Sequence, residues 1–267
     1  MIALICGALG LIIGSFLNVV ILRHGERGIG GRSACMSCQR TLTWLDLIPV
    51  VSWVALRGKC RTCKALISAQ YPLVEASTAI LFAIIGGAFF HNSIGVGFTM
   101  SAHSLVIFLY LTIVALLIAI AVYDLHHMII PDEWAFLFAA IALVTSLFTI
   151  APGQTILLVI LAGPIAAFPL YALWFVSGGK WMGLGDPKLA LGIGWLLGIE
   201  NGLVAVFLAF VIGAIIAVCV LIPLSRLLSA NEQITIKSEV PFGPFLVAST
   251  LVVWLVTMYG IPLPLFS

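Results

Sequence analysis

Long apolar stretches alternate with short polar segments along most of the chain. An α-helix needs roughly 20 apolar residues to cross the hydrocarbon core of a bilayer. The sixth apolar stretch has 13 residues, so it can span only if its beginning is bent or re-entrant within surrounding protein. The pattern predicts an all-α polytopic membrane protein with about eight transmembrane helices, at 2–22, 72–90, 102–123, 134–150, 155–176, 187–199, 202–224 and 244–261.

The composition agrees with this prediction. The 267 residues are 63% hydrophobic and 8% charged, whereas soluble globular domains carry about 25% charged residues. The net charge of +2 gives no reason to expect a nucleic-acid partner, so the lipid bilayer is the expected environment. No basic residue precedes the first apolar stretch, unlike in a secretory signal, and this stretch is predicted to be a retained span.

The basic residues predict the orientation in the membrane. All twelve lie in or beside the first, fifth and seventh loops, the last of which contains Arg226 and Lys237. Because basic loops stay on the cytoplasmic side, the odd-numbered loops are predicted to be cytoplasmic and both termini to lie outside. The long first loop, 23–71, is predicted to be a small cytoplasmic subdomain between the first helix, 1–22, and the remaining membrane domain, 72–267.

Four cysteines in the first loop form two C-x2-C pairs with 21 residues between them. Four thiolates at this spacing fit one tetrahedral zinc ion with no open position, which is typical of a structural site. Two disulfides or a redox pair are the alternatives, and the reducing cytoplasm disfavours stable disulfides. The predicted ligands are Cys35, Cys38, Cys60 and Cys63.

The chain contains four aspartates, and two of them stand out by position. Asp124 ends the third apolar stretch, and Asp186 follows Gly183-Leu184-Gly185 and precedes Pro187 at the start of the sixth. Ionisable groups at the edge of the hydrocarbon are costly and often functional. The other two have simpler structural interpretations: Asp46 caps a turn in the cysteine loop, and Asp132 is a first-turn acid of the fourth span.

Two carboxyl groups that share a proton can hydrolyse a peptide bond, because close like charges cannot both ionise. We predict that Asp186 is the base, as N-cap of the sixth helix, where the positive helix end favours ionisation. Asp124 lies at the negative end of the third helix and is predicted to be the acid.

In its ordered motifs the chain resembles the bacterial type IV prepilin leader peptidases, which are Gly-x-Gly-Asp membrane aspartic proteases. The resemblance extends over nearly the whole length, and the order of the motifs makes it specific. It rests on the paired cysteines, Asp124, and the segments 14–20 (GSFLNVV), 44–50 (WLDLIPV), 57–61 (RGKCR), 71–75 (YPLVE), 130–132 (IPD), 183–188 (GLGDPK) and 241–245 (PFGPF).

The resemblance implies that Asp124 and Asp186 are the catalytic pair of a peptidase domain at 72–267 in the bacterial cytoplasmic (inner) membrane. Its substrates would be prepilins and pilin-like subunits, cleaved on the cytoplasmic side after the glycine that ends a basic leader. Many members also methylate the new N-terminus with S-adenosylmethionine; Glu26 and Glu75 are available acids, but the sequence shows no cofactor pocket. We expect a substrate groove at Gly183, Gly185, Pro241, Gly243 and Pro244.

Simpler roles are preferred for several other polar residues. Glu75 is interpreted as a hydrogen-bonded interfacial acid, and His126 and His127 as interfacial loop histidines. Ser15 and Asn18 are predicted to hydrogen-bond between helices.

Two other functional classes remain open at this point. A proton-coupled transporter could use Asp124 and Asp186 as a relay, although transporters place such sites near the bilayer midplane. A zinc-ordered scaffold for pilus assembly would leave both aspartates inert.

Overall fold

The structure, a computed structural model, describes residues 1–25, 30–93, 100–150, 153–221, 223 and 240–261. Nearly all regular structure in these ranges is helical, with two isolated β-bridges in the first loop. The elements in order are α1 (Ile2–Arg23), a 3-10 turn (Trp44–Asp46), α2 (Val51–Ala55), α3 (Gln70–Ser93), α4 (Met100–His127), α5 (Asp132–Phe148), α6 (Ile156–Ser177), α7 (Gly185–Leu197), α8 (Ile199–Ile216) with a π-helical extension (Ala217–Leu221), and α9 (Gly243–Met258).

Each of the eight predicted apolar stretches coincides with a helix, which confirms the all-α membrane class. Five helices are long and apolar enough to cross a bilayer: α1, α3, α4, α6 and α8 with its extension. The others, α5, α7 and α9, have 17, 13 and 16 residues and are shorter than a full span. Arg226 and Lys237, which support the predicted orientation, lie outside the described residues.

The chain divides into two compact units, Met1–Ala119 and Ile120–Ser267. In the first unit α1 packs along α3. The contact is close because α1 presents Gly10 and Gly14 to the backbone of α3. A Cβ atom at Gly10 would lie 2.7 Å from the Cα of Ala79, and one at Gly14 would lie 2.7 Å from the Cα of Glu75. Small residues four positions apart allow such backbone contact between membrane helices.

In the second unit the short helix α7 lies among α5, α6, α8 and α9. Its glycines again allow the close packing. A Cβ atom at Gly192 would overlap the ring of Phe138 on α5, and one at Gly194 would overlap the carbonyl of Ala162 on α6. Because its neighbours cover most of its surface, a helix of 13 residues can be accommodated without spanning the bilayer by itself.

The glycine contact between α1 and α3 predicts that two Gly→Ala substitutions in α1 differ in their effect on stability. Gly10→Ala introduces a Cβ atom 2.7 Å from a backbone atom, so we expect the free energy of unfolding to fall by about 1–3 kcal/mol. In Gly7→Ala the new Cβ atom meets Ala83 at an ordinary 3.4 Å, and the melting temperature should hardly change. Thermal unfolding of both purified variants in detergent measures the difference, and equal melting temperatures would contradict the described packing.

Candidate functional site

The two aspartates singled out by the sequence lie at helix ends within the second unit. Asp124 is in the last turn of α4 and Asp186 is the second residue of α7. Their exposed fractions are 4% and 9%, and the Asp186 carboxyl group is close enough to sense the charge of Asp124 directly. The structure therefore brings two buried carboxyl groups into one electrostatic site.

A backbone hydrogen bond holds Asp124 against the start of α9. The N–H of Gly243 donates to Oδ2 of Asp124 at 3.0 Å. A Cβ atom at residue 243 would lie 2.6 Å from this oxygen, so only glycine lets the backbone approach so closely. No described residue hydrogen-bonds to the other oxygen, Oδ1, which leaves it available to a water molecule or a substrate.

Ile130 joins the three segments that form the site. Its side chain is 7% exposed, and its Cβ lies 2.9 Å from where a Cβ atom of Gly185 would be. Its Cδ1 lies 3.3 Å from the corresponding position of Gly243. Glycine at both positions thus allows the loop after α4, the start of α7 and the start of α9 to meet around one isoleucine.

The local backbone differs from one sequence-based expectation. The N-cap of α7 is Leu184, so Asp186 lies inside the first turn and is not the N-cap. Helix α9 begins at Gly243, within the Pro241–Pro244 segment, because a proline at the second helical position is compatible with the first turn. Gly183 is exposed ahead of α7, and Gly185 is its first residue.

The polar residues near the site have structural partners. Asp132 is exposed in the first turn of α5, as predicted. Its Oδ1 forms an ion pair with Nζ of Lys188 at 2.6 Å. His126 and His127 belong to the last turn of α4 and not to a loop. Their Nδ1 atoms contact carbonyl oxygens one helical turn earlier in the same helix.

The four cysteines of the first loop converge. Their sulfur atoms all lie within 4.8 Å of one another, so Cys35, Cys38, Cys60 and Cys63 could hold a metal ion. Each pair sits in an equivalent turn, in which the N–H of the first cysteine donates to the carbonyl five residues later: Arg40 in one turn and Ala65 in the other. The residues after the pairs, Gln39 and Lys64, both adopt positive φ angles.

The turns also direct backbone N–H groups at the first sulfur of each pair. Those of Cys63 and Thr62 lower the pKa of the Cys60 thiol to about 6. Those of Cys38 and Ser37 lower the pKa of the Cys35 thiol in the same way. Thiolates are the form that binds metal ions, so the backbone prepares both sulfurs as ligands.

Asp46 connects the two cysteine turns. It ends the 3-10 turn and caps it together with Thr43, as predicted. Its carboxylate accepts hydrogen bonds from Arg40, after the first cysteine pair, and from Arg61, inside the second. Burial raises the pKa of Asp46, but the hydrogen bonds from Thr43 and Arg61 and the charge of Arg40 outweigh it and lower the pKa to about 2.

Glu75 links the membrane helices of the first unit to the cysteine loop. Its Oε2 accepts the N–H of Val50 at 2.6 Å, and the Ser15 hydroxyl also hydrogen-bonds to it. The amide nitrogen of Asn18 donates to the carbonyls of Gly14 and Tyr71. The hydrogen-bonded interpretation of Glu75 and the helix-bridging interpretation of Ser15 and Asn18 are thereby confirmed.

Sequence reasoning missed the two contacts that organise the aspartate site. It placed Gly243 in a groove but did not anticipate its N–H as a partner of Asp124. It gave Ile130 no role. The only signals were the Ile-Pro-Asp and Pro-Phe-Gly-Pro segments themselves, since a contact between residues 119 positions apart leaves no local pattern.

Two family models match the chain, the bacterial peptidase A24 N-terminal domain over residues 8–89 and the type IV leader peptidase family over residues 111–218. Among similar proteins is a prepilin leader peptidase/N-methyltransferase from Bacillus subtilis, 32% identical over 92% of this chain and 91% of its own length. Proteins of the same name from Aeromonas hydrophila and Pseudomonas aeruginosa are 31% and 29% identical, over 94% of this chain and 88% of their own lengths. No solved structure matches significantly.

Proposed function

The chain belongs to the type IV leader peptidase family, and on this basis we propose that Asp124 and Asp186 are the catalytic pair of a prepilin peptidase that acts at the cytoplasmic face of the membrane. The observation that carries the proposal is the burial of both carboxyl groups within electrostatic reach of each other at two helix ends. An enzyme of this kind is a membrane aspartic endopeptidase. Its residues 72–267 would form the peptidase domain.

The two carboxyl groups divide the work of hydrolysis. The ionised one takes a proton from a water molecule, whose oxygen attacks the scissile carbonyl, while the protonated one donates to the carbonyl oxygen. The product of this attack is a tetrahedral intermediate. Its collapse breaks the C–N bond, and the departing amine takes up the proton that the base removed from water. The Gly243 N–H donates to Oδ2 of Asp124, which favours the ionised form of this carboxyl group and leaves its Oδ1 to the water molecule or the substrate. This contact does not support the predicted roles, with Asp186 as the base and Asp124 as the acid, and the N-cap position on which they relied is not observed.

The substrates we propose are prepilins and pilin-like proteins, cleaved after the glycine that ends their basic leader. The positively charged loops support a cytoplasmic position of the site at the inner membrane, with both termini outside. Gly183 and Gly185 precede Asp186 in the sequence, and Gly243 contacts Asp124. Together with Pro241 and Pro244 they would line the groove for the scissile segment. The same position at helix ends argues against a transporter, whose relay acids belong near the bilayer midplane.

Loss of either catalytic carboxyl group should stop cleavage. We expect Asp124→Asn and Asp186→Asn each to lower the rate of prepilin cleavage by about 10²–10⁴-fold, the usual contribution of a general acid or base. Purified enzyme and a prepilin in detergent, analysed by gel shift or mass spectrometry, give the rates. The matched control is Asp132→Asn, because Asp132 is exposed and its ion pair with Lys188 is of the kind that contributes little. Full activity of either catalytic variant would refute the assignment.

The hydrogen bond from Gly243 to Asp124 predicts a second variant with a reduced rate of prepilin cleavage. Gly243→Ala pushes a Cβ atom against Oδ2 of Asp124, and a displacement of about 1 Å can lower a rate by about 10²-fold. Gly87→Ala is the control, because its new Cβ atom meets only Ala3 at 3.6 Å. Thermal unfolding checks that Gly243→Ala remains folded. A folded Gly243→Ala enzyme with normal cleavage would show that the contact does not position Asp124.

We also propose that the four-cysteine cluster holds one structural zinc ion. The four sulfurs within 4.8 Å of one another match a tetrahedral thiolate site, and such a site leaves no position open for substrate. The surrounding subdomain has a small core, so metal binding would contribute much of its folding free energy. Disulfides are disfavoured because the cytoplasm is reducing.

Elemental analysis tests the zinc proposal. The purified wild type should contain about one zinc ion per chain, and Cys60→Ser should lose it together with thermal stability. Cys219→Ser is the control, since Cys219 is exposed and lies outside the cluster. Zinc-free wild-type protein, prepared without chelator, or equal zinc content in Cys60→Ser would overturn the assignment.

N-methylation of the cleaved pilin is a further part of the proposed function, as in the names of the relatives. When bound, S-adenosylmethionine would supply an electrophilic methyl group for the amine of the new N-terminus.

A further inference from the structure

The cysteine loop carries apolar side chains on its outside. On the 3-10 turn, Trp44 and Leu45 are 73% and 43% exposed. On α2, Val51 and Val54 are three residues apart and therefore share one helix face, and both are 60% exposed. The turn contacts α2, so these four side chains belong to one part of the surface, here called the loop apolar surface. Exposed apolar surfaces typically mark a contact with another protein or with a membrane.

The opposite face of α2 is used within the loop. Ser52, Trp53 and Leu56 line a cavity of about 620 Å³ between the loop and the ends of α1 and α3. The Nε1 of Trp53 donates to the carbonyl of Ile67 at 3.1 Å. The loop thus holds Trp53 inside and presents Trp44 outward, and its internal packing does not account for the loop apolar surface.

A hydrogen bond fixes the height of α2 beside the membrane helices. The N–H of Val50, the residue before α2, donates to Oε2 of Glu75 at 2.6 Å, and Glu75 is the sixth residue of α3. Helix α3 is a candidate membrane span from Gln70 to His91. At 1.5 Å per residue, Glu75 lies about 8 Å along a span of about 33 Å. Because the hydrocarbon core is about 30 Å thick, α2 begins at the level where headgroups meet acyl chains.

The charges of the loop suit an anionic lipid surface. Residues 23–71 contain eight basic and two acidic side chains. A zinc ion with four thiolates would add a net charge of about −2, so the loop stays positive. Arg57 and Lys59 follow α2 closely and are exposed. Basic residues beside a membrane attract anionic headgroups, and tryptophan favours the interface between lipid and water.

We propose that the loop apolar surface binds the interface of a bilayer that contains anionic lipids. Val51 and Val54 enter the boundary between headgroups and acyl chains, as the apolar face of an interfacial helix does, and Trp44 lies beside them at the same level. Arg57 and Lys59 stay among the phosphate groups. The contact holds the cysteine loop at a fixed height beside α1 and α3. It does not depend on the peptidase or methyltransferase parts of the proposed function.

Fluorescence quenching by brominated lipids tests the proposal with the full-length protein in nanodiscs. The difference in emission between the wild type and Trp44→Phe is the emission of Trp44. We expect lipids brominated near the headgroup end of the acyl chain to remove most of it. The loss should be larger in discs that contain phosphatidylglycerol than in discs of phosphatidylcholine alone, because the loop is basic. Trp53→Phe is the matched control: Trp53 lies inside the same loop, so its emission should change much less. Thermal unfolding checks that both variants remain folded.

A second measurement uses only the wild type. A lipid with a photoactivatable group near its headgroup, followed by peptide mapping, should label the segment 44–56. Trp44 emission that bromine leaves unchanged, or labelling confined to other segments, would overturn the proposal. Shielding of Trp44 from an aqueous quencher only after a prepilin is added would assign the surface to the substrate and also exclude the lipid contact. Equal quenching in both lipid mixtures would overturn the preference for anionic lipids.

Discussion

Close backbone contact, made possible by the absence of a side chain, is the constraint on which this structure depends. At Gly243 it lets a backbone N–H reach the carboxyl group of Asp124, and at Gly185 it lets Ile130 pack against the first residue of α7. At Gly10 and Gly14 it brings α1 onto the backbone of α3. In lipid there is little hydrophobic force between helices, so such packing carries more of the association than it would in water.

The same constraint explains how a mostly apolar chain keeps buried carboxyl groups. A buried acid without partners is costly, and two of the three buried acids in the described residues accept a backbone N–H. Asp124 accepts that of Gly243 and Glu75 that of Val50 in the cysteine loop, whereas Asp186 lies near the like charge of Asp124. For Asp124 and Glu75 the donor comes from a segment distant in sequence, so the acid also joins two elements.

Two further kinds of interaction order the cysteine loop in the first unit. The cysteine turns use backbone N–H groups to stabilise thiolates, and Asp46 ties both turns together through Arg40 and Arg61. The loop so ordered forms one wall of a cavity whose other wall comes from α1 and α3.

Much of this protein could be derived from its sequence alone: the all-α membrane class, the positions of the apolar helices, the cysteine cluster and the pair of candidate aspartates. These features are local, since each depends on hydrophobicity, spacing or residue type within a short segment. Only the tertiary structure showed that Asp186 is not an N-cap and that Gly243 and Ile130 organise the aspartate site. It also revealed the cavity beside Glu75. These depend on contacts between residues far apart in the chain, and such contacts are decided by packing and leave no periodic signal in the sequence.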